Sequence, residues 1–249
     1  MRPEDLDELR QLPLFRDMLA STFSELMHGA VSRSVAQGVE LIRQGDPAQY
    51  LHVVLEGSVE LYGSWQGRSC TMAVINPVGS FILAACIKDA PYLNSARSLM
   101  PSRILVVPAS DLRATFRRDA EFAVSVIDEL AGAYRSVMRH AKGLKLRAAR
   151  ERVAAYLLQQ SFGKIYISNG RERFTLSVEK RLIASYLGMT PESFSRALRS
   201  LEEFGVEVQG QKITLTDAVK LAAFAPPDFL IDGPDREAGR MGASLPLSR

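Results

Sequence analysis

Cysteine is nearly absent from the 249 residues: only Cys70 and Cys86 occur, and neither stands in a paired metal-ligand spacing. A zinc site or a cysteine-ligated iron-sulfur cluster therefore has no ligand set. Histidine is as scarce, with His28, His52 and His140 scattered along the chain. No H-E-x-x-H, Walker loop, G-x-G-x-x-G or G-x-S-x-G is present, so nothing suggests catalysis and we expect a protein that is not an enzyme. No apolar run approaches the length of a membrane span, and the amino end, MRPEDLDELR, is acidic where a secretory leader would be basic and then apolar. A reduced cytoplasm and no membrane partner are the expectations.

What is present is a chain with 47% hydrophobic residues, enough for one large or two ordinary cores. Residues 1 to about 30 read as two short helices, apolar at Leu6, Leu9, Leu12, Leu14 and Phe15 and then at Phe23, Leu26 and Met27. From Val31 the pattern shortens into alternating segments divided by Gly38, Gly45-Asp46-Pro47, Gly57 and Gly67, the punctuation of antiparallel hairpins. Eight to ten such strands imply a small barrel or jelly roll. Beyond it, Ala123, Ile127, Leu130, Tyr134, Val137, Ala141 and Leu144 step by threes and fours, an a/d seam held for more than three heptads. One face of this helix can pack on the barrel, but a seam so narrow and long suits a second copy of itself. Gly143, near the helix end, is a candidate hinge.

The third part opens with a helix from about Leu146 to Gln160, followed by KIYISNGRERFTLS, where Asn169-Gly170 between strand-like runs is a hairpin signal. In LSVEKRLIASYLGMTPESFSRALRSLEEFG, Ser177 is positioned to cap a helix running to about Leu187, and Gly188 ends it. Thr190 then caps a second helix with Pro191 in its first turn. Phe194, Ala197, Leu198, Leu201 and Phe204 repeat at helical spacing and face a core, leaving Glu192, Ser195, Arg196 and Arg199 outward. These outer residues could be a solvated face, with Arg199 paired to Glu202 or Glu203. Against that, residues 135–199 hold fourteen basic side chains and four acidic ones, an excess of ten where the whole chain carries only +3. Such a concentration suits a polyanion. VEVQGQKITLTD adds two short strands around Gly210, a wing, so a winged helix-turn-helix that binds double-stranded DNA is expected.

The order of barrel, dimerising helix and winged helix-turn-helix resembles the bacterial transcription regulators that include the catabolite activator protein and the fumarate-nitrate reductase regulator, the CRP/FNR superfamily. Three stretches carry the resemblance, which covers about residues 10 to 222: QGVELIRQGDPAQYLHVVLEGSVELY, MPSRILVVPASDLRATFRRDAEF and TPESFSRALRSLEEFGVEVQGQKITLTD. It implies an α+β chain with a cyclic-nucleotide-binding-like jelly roll as sensor (1–117), a dimerisation helix (118–145) and a winged helix-turn-helix (146–224). Beyond it the chain is rich in proline, glycine and charge with no period, so a largely disordered tail (225–249) is expected. The E-x-x-S-R pattern falls on Glu192, Ser195 and Arg196, which by resemblance read bases of a TTG...CAA palindrome. An Arg can grip guanine O6 and N7, and a Glu can accept from a cytosine amino group. Lys180, Arg181, Thr190, Arg199, Gln211 and Lys212 are assigned to the DNA backbone, and RNA polymerase is the partner expected of an activator.

Cyclic-nucleotide binders of the family carry a Gly-Glu and then an Arg-Ser, the Arg meeting the phosphate. Here an apolar run from Phe81 to Ala85 occupies the Glu region and Asn94-Ser95 stands in the place of Arg-Ser, with Arg97 two residues on. A buried phosphate without its cation is costly, so a cyclic nucleotide is disfavoured. The iron-sulfur branch is disfavoured too, for want of its cysteines. FILAACIKDAPYLNSARSLMPSRILVVP is most similar to the branch that answers nitric oxide or other nitrogen oxides (NnrR/DNR-like) and activates denitrification genes. That points to a small-molecule effector pocket near Phe81, Leu83, Cys86, Ser95 and Arg97. It also makes haem a candidate cofactor, with His28, His52, Cys70 and Cys86 as conceivable axial ligands. For each of the four a packing role is the commoner use.

Overall fold

The computed structural model describes residues 3–161, 166–168 and 171–233, which form two compact units: the first runs to Ser136, and the second begins at Val137. The amino-terminal segment holds three helices where two were expected: α1 (Pro3–Arg10), α2 (Pro13–Arg16) and α3 (Ala20–His28). Pro13 is the cause. It can start a helix but cannot continue one, so it divides the first apolar stretch.

Eight strands follow: β1 (Val31–Val35), β2 (Glu40–Ile42), β3 (Tyr50–Glu56), β4 (Val59–Trp65), β5 (Arg68–Ile75), β6 (Gly79–Phe81), β7 (Ser95–Ser98) and β8 (Ser102–Pro108). Helix α4 (Leu83–Lys88) lies between β6 and β7. The strands make two antiparallel four-stranded sheets, in the orders β1-β8-β3-β6 and β2-β7-β4-β5, as a jelly roll requires. Leu51, Val53 and Leu55 of β3, Ile104, Leu105 and Val107 of β8, and Val59, Leu61 and Ala96 of β4 and β7 share one core. Phe15 of α2 joins it, stacked 6.3 Å from Phe122.

Helix α5 (Ala109–Arg118) leads into α6 (Ala120–Leu146), 27 residues without a break. Asp119 starts α6: its Oδ1 accepts from the Phe122 amide at 2.9 Å, the bond an N-cap makes to the third helical residue. Phe122, Val126 and Glu129 form the buried face, whereas Val124, Ile127, Tyr134, Val137 and Met138 are each about half exposed or more. Of the seam residues, Ile127, Tyr134 and Val137 lie in that exposed stripe. Leu130 packs partly on the first unit's core, and Ala141 and Leu144 are half-buried. Gly143 does not interrupt the helix. The chain breaks at Arg147-Ala148 instead, before α7 (Ala149–Ser161).

In the second unit, β9 (Tyr166–Ser168) pairs with β10 (Arg171–Thr175), and the Asn169-Gly170 turn expected between them lies outside the described residues. Then come α8 (Lys180–Tyr186), α9 (Pro191–Ser200), β11 (Val206–Gln209), β12 (Lys212–Leu215), α10 (Ala218–Phe224) and α11 (Phe229–Asp232). The sheet order is β11-β12-β10-β9, so the wing is continuous with the preceding hairpin. α7 packs against both α9 and α10 and buries Val153, Ala154 and Leu157. The tail departs from expectation: residues 225–233 are ordered and carry α11, and residues 234–249 lie outside the described ones.

Candidate nucleic-acid interface and sensor residues

The expected cap at Ser177 is not the one used. Helix α8 begins at Lys180 with Glu179 as its N-cap, because Leu176 and Val178 are buried and the Leu176 amide donates to the Gln211 carbonyl at 2.9 Å. The wing thus claims the backbone of this segment and delays the helix. At its other end, α8 is tied to the last turns of α6 by His140, whose ring stacks on Tyr186 at 4.2 Å. Gly188 sits at φ +66°, so the turn into α9 needs glycine for its conformation, and a Cβ there would stand 3.2 Å from the Leu144 side chain, which would have to give by a few tenths of an ångström.

Thr190 caps α9, its Oγ1 accepting from the Ser193 amide at 3.2 Å, and Pro191 opens the first turn. Phe194, Ala197, Leu198 and Leu201 are buried, and Phe204 is partly buried and stacked on Phe224 at 4.3 Å. The opposite face presents Glu192, Arg196 and Arg199 to solvent, with Ser195 half-buried beside them. The Glu192 carboxyl is held below its ordinary value by its own backbone amide, with the Thr190 side chain and then Arg196 adding to it. Arg196 Nη2 donates to Ser193 Oγ at 3.2 Å. Arg199 does not take the bland option: Glu203 pairs with Arg150 at 2.6 Å, and no carboxylate among the described residues pairs with Arg199.

The basic excess is less available than its count implies. Arg150 bonds Glu203 and the Ser200 carbonyl and covers the Phe204 and Phe224 rings, so it braces the C-terminal end of α9. Arg147 pairs with Asp232, and Arg152 donates to the Leu144 and Arg147 carbonyls. Arg181 rests on Glu179 at 2.6 Å in an exposed pair. Lys180 is half-buried at the start of α8, and Gln211 and Lys212 are exposed at the β11–β12 turn, which Gly210 makes at φ +59°. An exposed acid-and-arginine face on a capped helix, flanked by exposed lysine and glutamine on a wing, can enter a groove and hold phosphates on either side.

The five expected effector residues divide between two environments. Phe81, Leu83 and Cys86 are fully buried in the first unit's core, and burial pushes the Cys86 thiol up to about 12. Ser95 and Arg97 flank the core residue Ala96 on β7 and so face away from it. There Arg97 donates through Nε and Nη2 to one Glu60 oxygen, each at 2.7 Å, and lies over the Tyr62 ring at 4.6 Å. Thr71 Oγ1 donates to the other Glu60 oxygen at 2.6 Å, and Ser95 Oγ accepts from the Gln44 amide at 3.0 Å. Glu60, buried and doubly bonded, was missed in the sequence because only the β4–β7 register brings it opposite Arg97. A surface cleft lined by Pro47, Gln49, Pro91, Ser110 and Arg113 takes in none of the five.

The four conceivable haem ligands lie on different elements: His28 exposed at the end of α3, Cys70 exposed on β5, Cys86 buried in α4, and His52 on β3. His52 is 5% exposed, stacked on Phe81 at 5.2 Å and edge-on to Tyr92 at 6.5 Å. Burial lowers its pKa to about 4, so the ring is neutral, and Nδ1 has no hydrogen-bond partner among the described residues. Rings already cover the imidazole where a macrocycle would lie, so this packing does not fit haem.

Residues 32–119 match the cyclic nucleotide-binding domain and residues 151–224 the Crp-like helix-turn-helix domain. A solved "putative cyclic nucleotide binding protein" from Ruegeria pomeroyi is 30% identical; the match covers 92% of this chain and all of that one, with a TM-score of 0.58. FixK2 from Bradyrhizobium japonicum is 26% identical, covering 80% of this chain and 98% of that one, with a TM-score of 0.66. The "Probable transcriptional regulator flp" of Lacticaseibacillus casei is 24% identical over 86% of this chain and 96% of its own.

Proposed function

Because the chain belongs to the CRP/FNR family of transcription regulators, whose members bind DNA and act as dimers, we propose that it pairs with its own copy along α6 and reads a TTG...CAA-like palindrome. Glu192, Ser195 and Arg196 meet base edges in the major groove. Lys180, Arg181, Thr190, Arg199, Gln211 and Lys212 meet the backbone. The observation that carries the reading is the contrast between basic residues: Arg147, Arg150 and Arg152 are spent inside the second unit, while Arg196 and Arg199 are exposed on the outer face of α9 with no salt bridge to a carboxylate among the described residues, Arg196 acting on Glu192 of the same face only through its charge. The exposed stripe through Ile127, Tyr134 and Val137 supports the dimer, since a contiguous apolar row on one helix face is costly in water.

The finer reading is an activator of nitrogen-oxide metabolism that answers nitric oxide or a related signal through the jelly roll. Its support is the resemblance of the Phe81–Pro108 stretch. The engagement of Arg97 by Glu60 weighs against a cyclic phosphate as the signal, and the cover over His52 weighs against haem as the receiver. The signal must bind the DNA-competent state better than the other, or it shifts nothing.

Fluorescence anisotropy with a labelled TTG...CAA duplex and a scrambled duplex, with and without nitric oxide, tests both levels. Tighter binding to the palindrome supports the DNA reading, and equal binding to both duplexes defeats it. Unchanged affinity on adding nitric oxide defeats the signal alone.

A further inference from the structure

The segment after α10 continues past residue 224, where the match to the Crp-like domain ends, and it is built into the second unit. Asp228 caps α11 by accepting from the Leu230 amide at 2.7 Å. Asp232, at the far end of α11, takes four hydrogen bonds. Arg147 Nη1 donates to Oδ1 at 2.6 Å and Nη2 to Oδ2 at 2.5 Å, Gln159 Nε2 donates to Oδ1 at 3.2 Å, and the Asp228 amide donates to Oδ2 at 2.8 Å. The Arg147 and Asp232 side chains are 13% and 10% exposed. Ile231 reaches to 3.8 Å from where a Cβ on Gly143 would stand, so the segment also lies along the end of α6.

Arg147 stands at the corner between α6 and α7, and that corner is braced from three sides. Arg152 Nη1 donates to the Arg147 carbonyl at 3.0 Å, and the Ala148 amide donates to Glu151 Oε2 at 2.7 Å, so each broken helix end is satisfied by a side chain of α7. The third brace is Asp232, which joins the corner to Gln159 on α7 through one carboxylate. A two-pronged pair largely out of water holds its geometry tightly, and neutralising one partner leaves the other charge buried without compensation.

We propose that Asp232 is a positioning residue for DNA recognition: by gripping Arg147 it sets the angle at which the long helix enters the DNA-reading domain, and with it the separation of the two recognition helices in a dimer. The proposal rests on the dimeric, DNA-reading function above. Half-sites lie one helical turn apart, about 34 to 36 Å. Adding or removing one base pair moves a half-site by about 3.4 Å and rotates it by about a tenth of a turn. A stiff corner rejects such a change, and a loosened corner tolerates it.

The test compares the wild-type chain with Asp232→Asn, Arg147→Gln and the charge-exchanged pair Arg147→Asp/Asp232→Arg. Affinity is measured on palindromes of the preferred spacing and on those with one base pair added or removed. The wild type should prefer one spacing by at least about tenfold, of the order of a single mismatched base pair. Each single variant should shrink that preference to within about threefold while keeping the same penalty for a mismatched base, and the exchanged pair should restore part of it. A cooperatively melting Asp232→Asn or Arg147→Gln protein that keeps the wild-type spacing preference overturns the proposal. On the unaltered protein, slow exchange of the Arg147 guanidinium hydrogens is expected, and exchange as fast as for the exposed Arg199 also overturns it. A wild type that prefers no palindrome at all defeats the DNA reading itself, which is a different result.

Discussion

Glu129 is the one charged residue on the buried face of α6, between Val126 and the half-buried Leu130, and it is 7% exposed. Burial alone pushes its carboxyl up to about 7 from an ordinary value of 4.5. The folded protein therefore keeps a proton that the unfolded chain gives up anywhere between those two values. Stability from this group is whole below pH 4.5 and is lost as pH rises toward and through 7. With 1.36 kcal/mol for each pH unit, the loss integrates to about 3 kcal/mol at pH 8 and under about 1 kcal/mol at pH 5. Glu129→Gln imitates the neutral acid and should remove the slope. Urea unfolding followed by far-ultraviolet circular dichroism should find the variant close to wild type at pH 5 and more stable by up to about 3 kcal/mol at pH 8. The same difference at both pH values, or a variant less stable at pH 8, would mean that Glu129 does not hold a proton in the folded state over this range.

His52 should give the opposite slope. Its folded value of about 4 lies below the ordinary 6.5, so its contribution is whole above pH 6.5 and falls on acidification through that window. His52→Phe should flatten the acid limb of the urea midpoint against pH. Arg196→Ala should cost about 1 to 3 kcal/mol on the matched duplex and much less on one mismatched at its base pair, whereas Lys212→Ala should weaken all duplexes alike and reduce the salt slope by about one. Equal losses for Arg196→Ala on matched and mismatched DNA would remove its base-reading role. Tyr134→Glu, in the exposed stripe of α6, should convert the dimer to monomer in sedimentation at micromolar concentration, and a variant that sediments as the wild type does would place the dimer contact elsewhere.

The parts of this molecule that local chemistry controls could be read from its residues. Thr190-Pro191 and Gly188 delimit α9 because capping and positive φ are properties of single positions. The two antiparallel sheets followed from glycine punctuation and alternation. What escaped depends on pairings between distant segments. Ser177 is a good cap in isolation, but the hydrogen bond from Leu176 to Gln211 keeps its neighbourhood extended. Arg97 stands two residues from the place of the family's Arg-Ser, and only the strand register sets it against Glu60. Arg147, Arg150 and Arg152 counted as positive charge for DNA, although each is consumed by a partner between five and 85 residues away. Asp232 lies in a stretch rich in proline, glycine and charge that has no period, so only the fold reveals its grip on Arg147.

In the proposed complex two copies of α9 read two copies of one short sequence. Selection of bound duplexes from a fully randomised pool, with the purified wild-type chain and no assumed site, decides whether they do. Enrichment of a two-fold palindrome with TTG and CAA arms, their centres one helical turn apart, is the predicted result. Enrichment of an isolated half-site, of an unrelated sequence, or of nothing above the starting pool would contradict it.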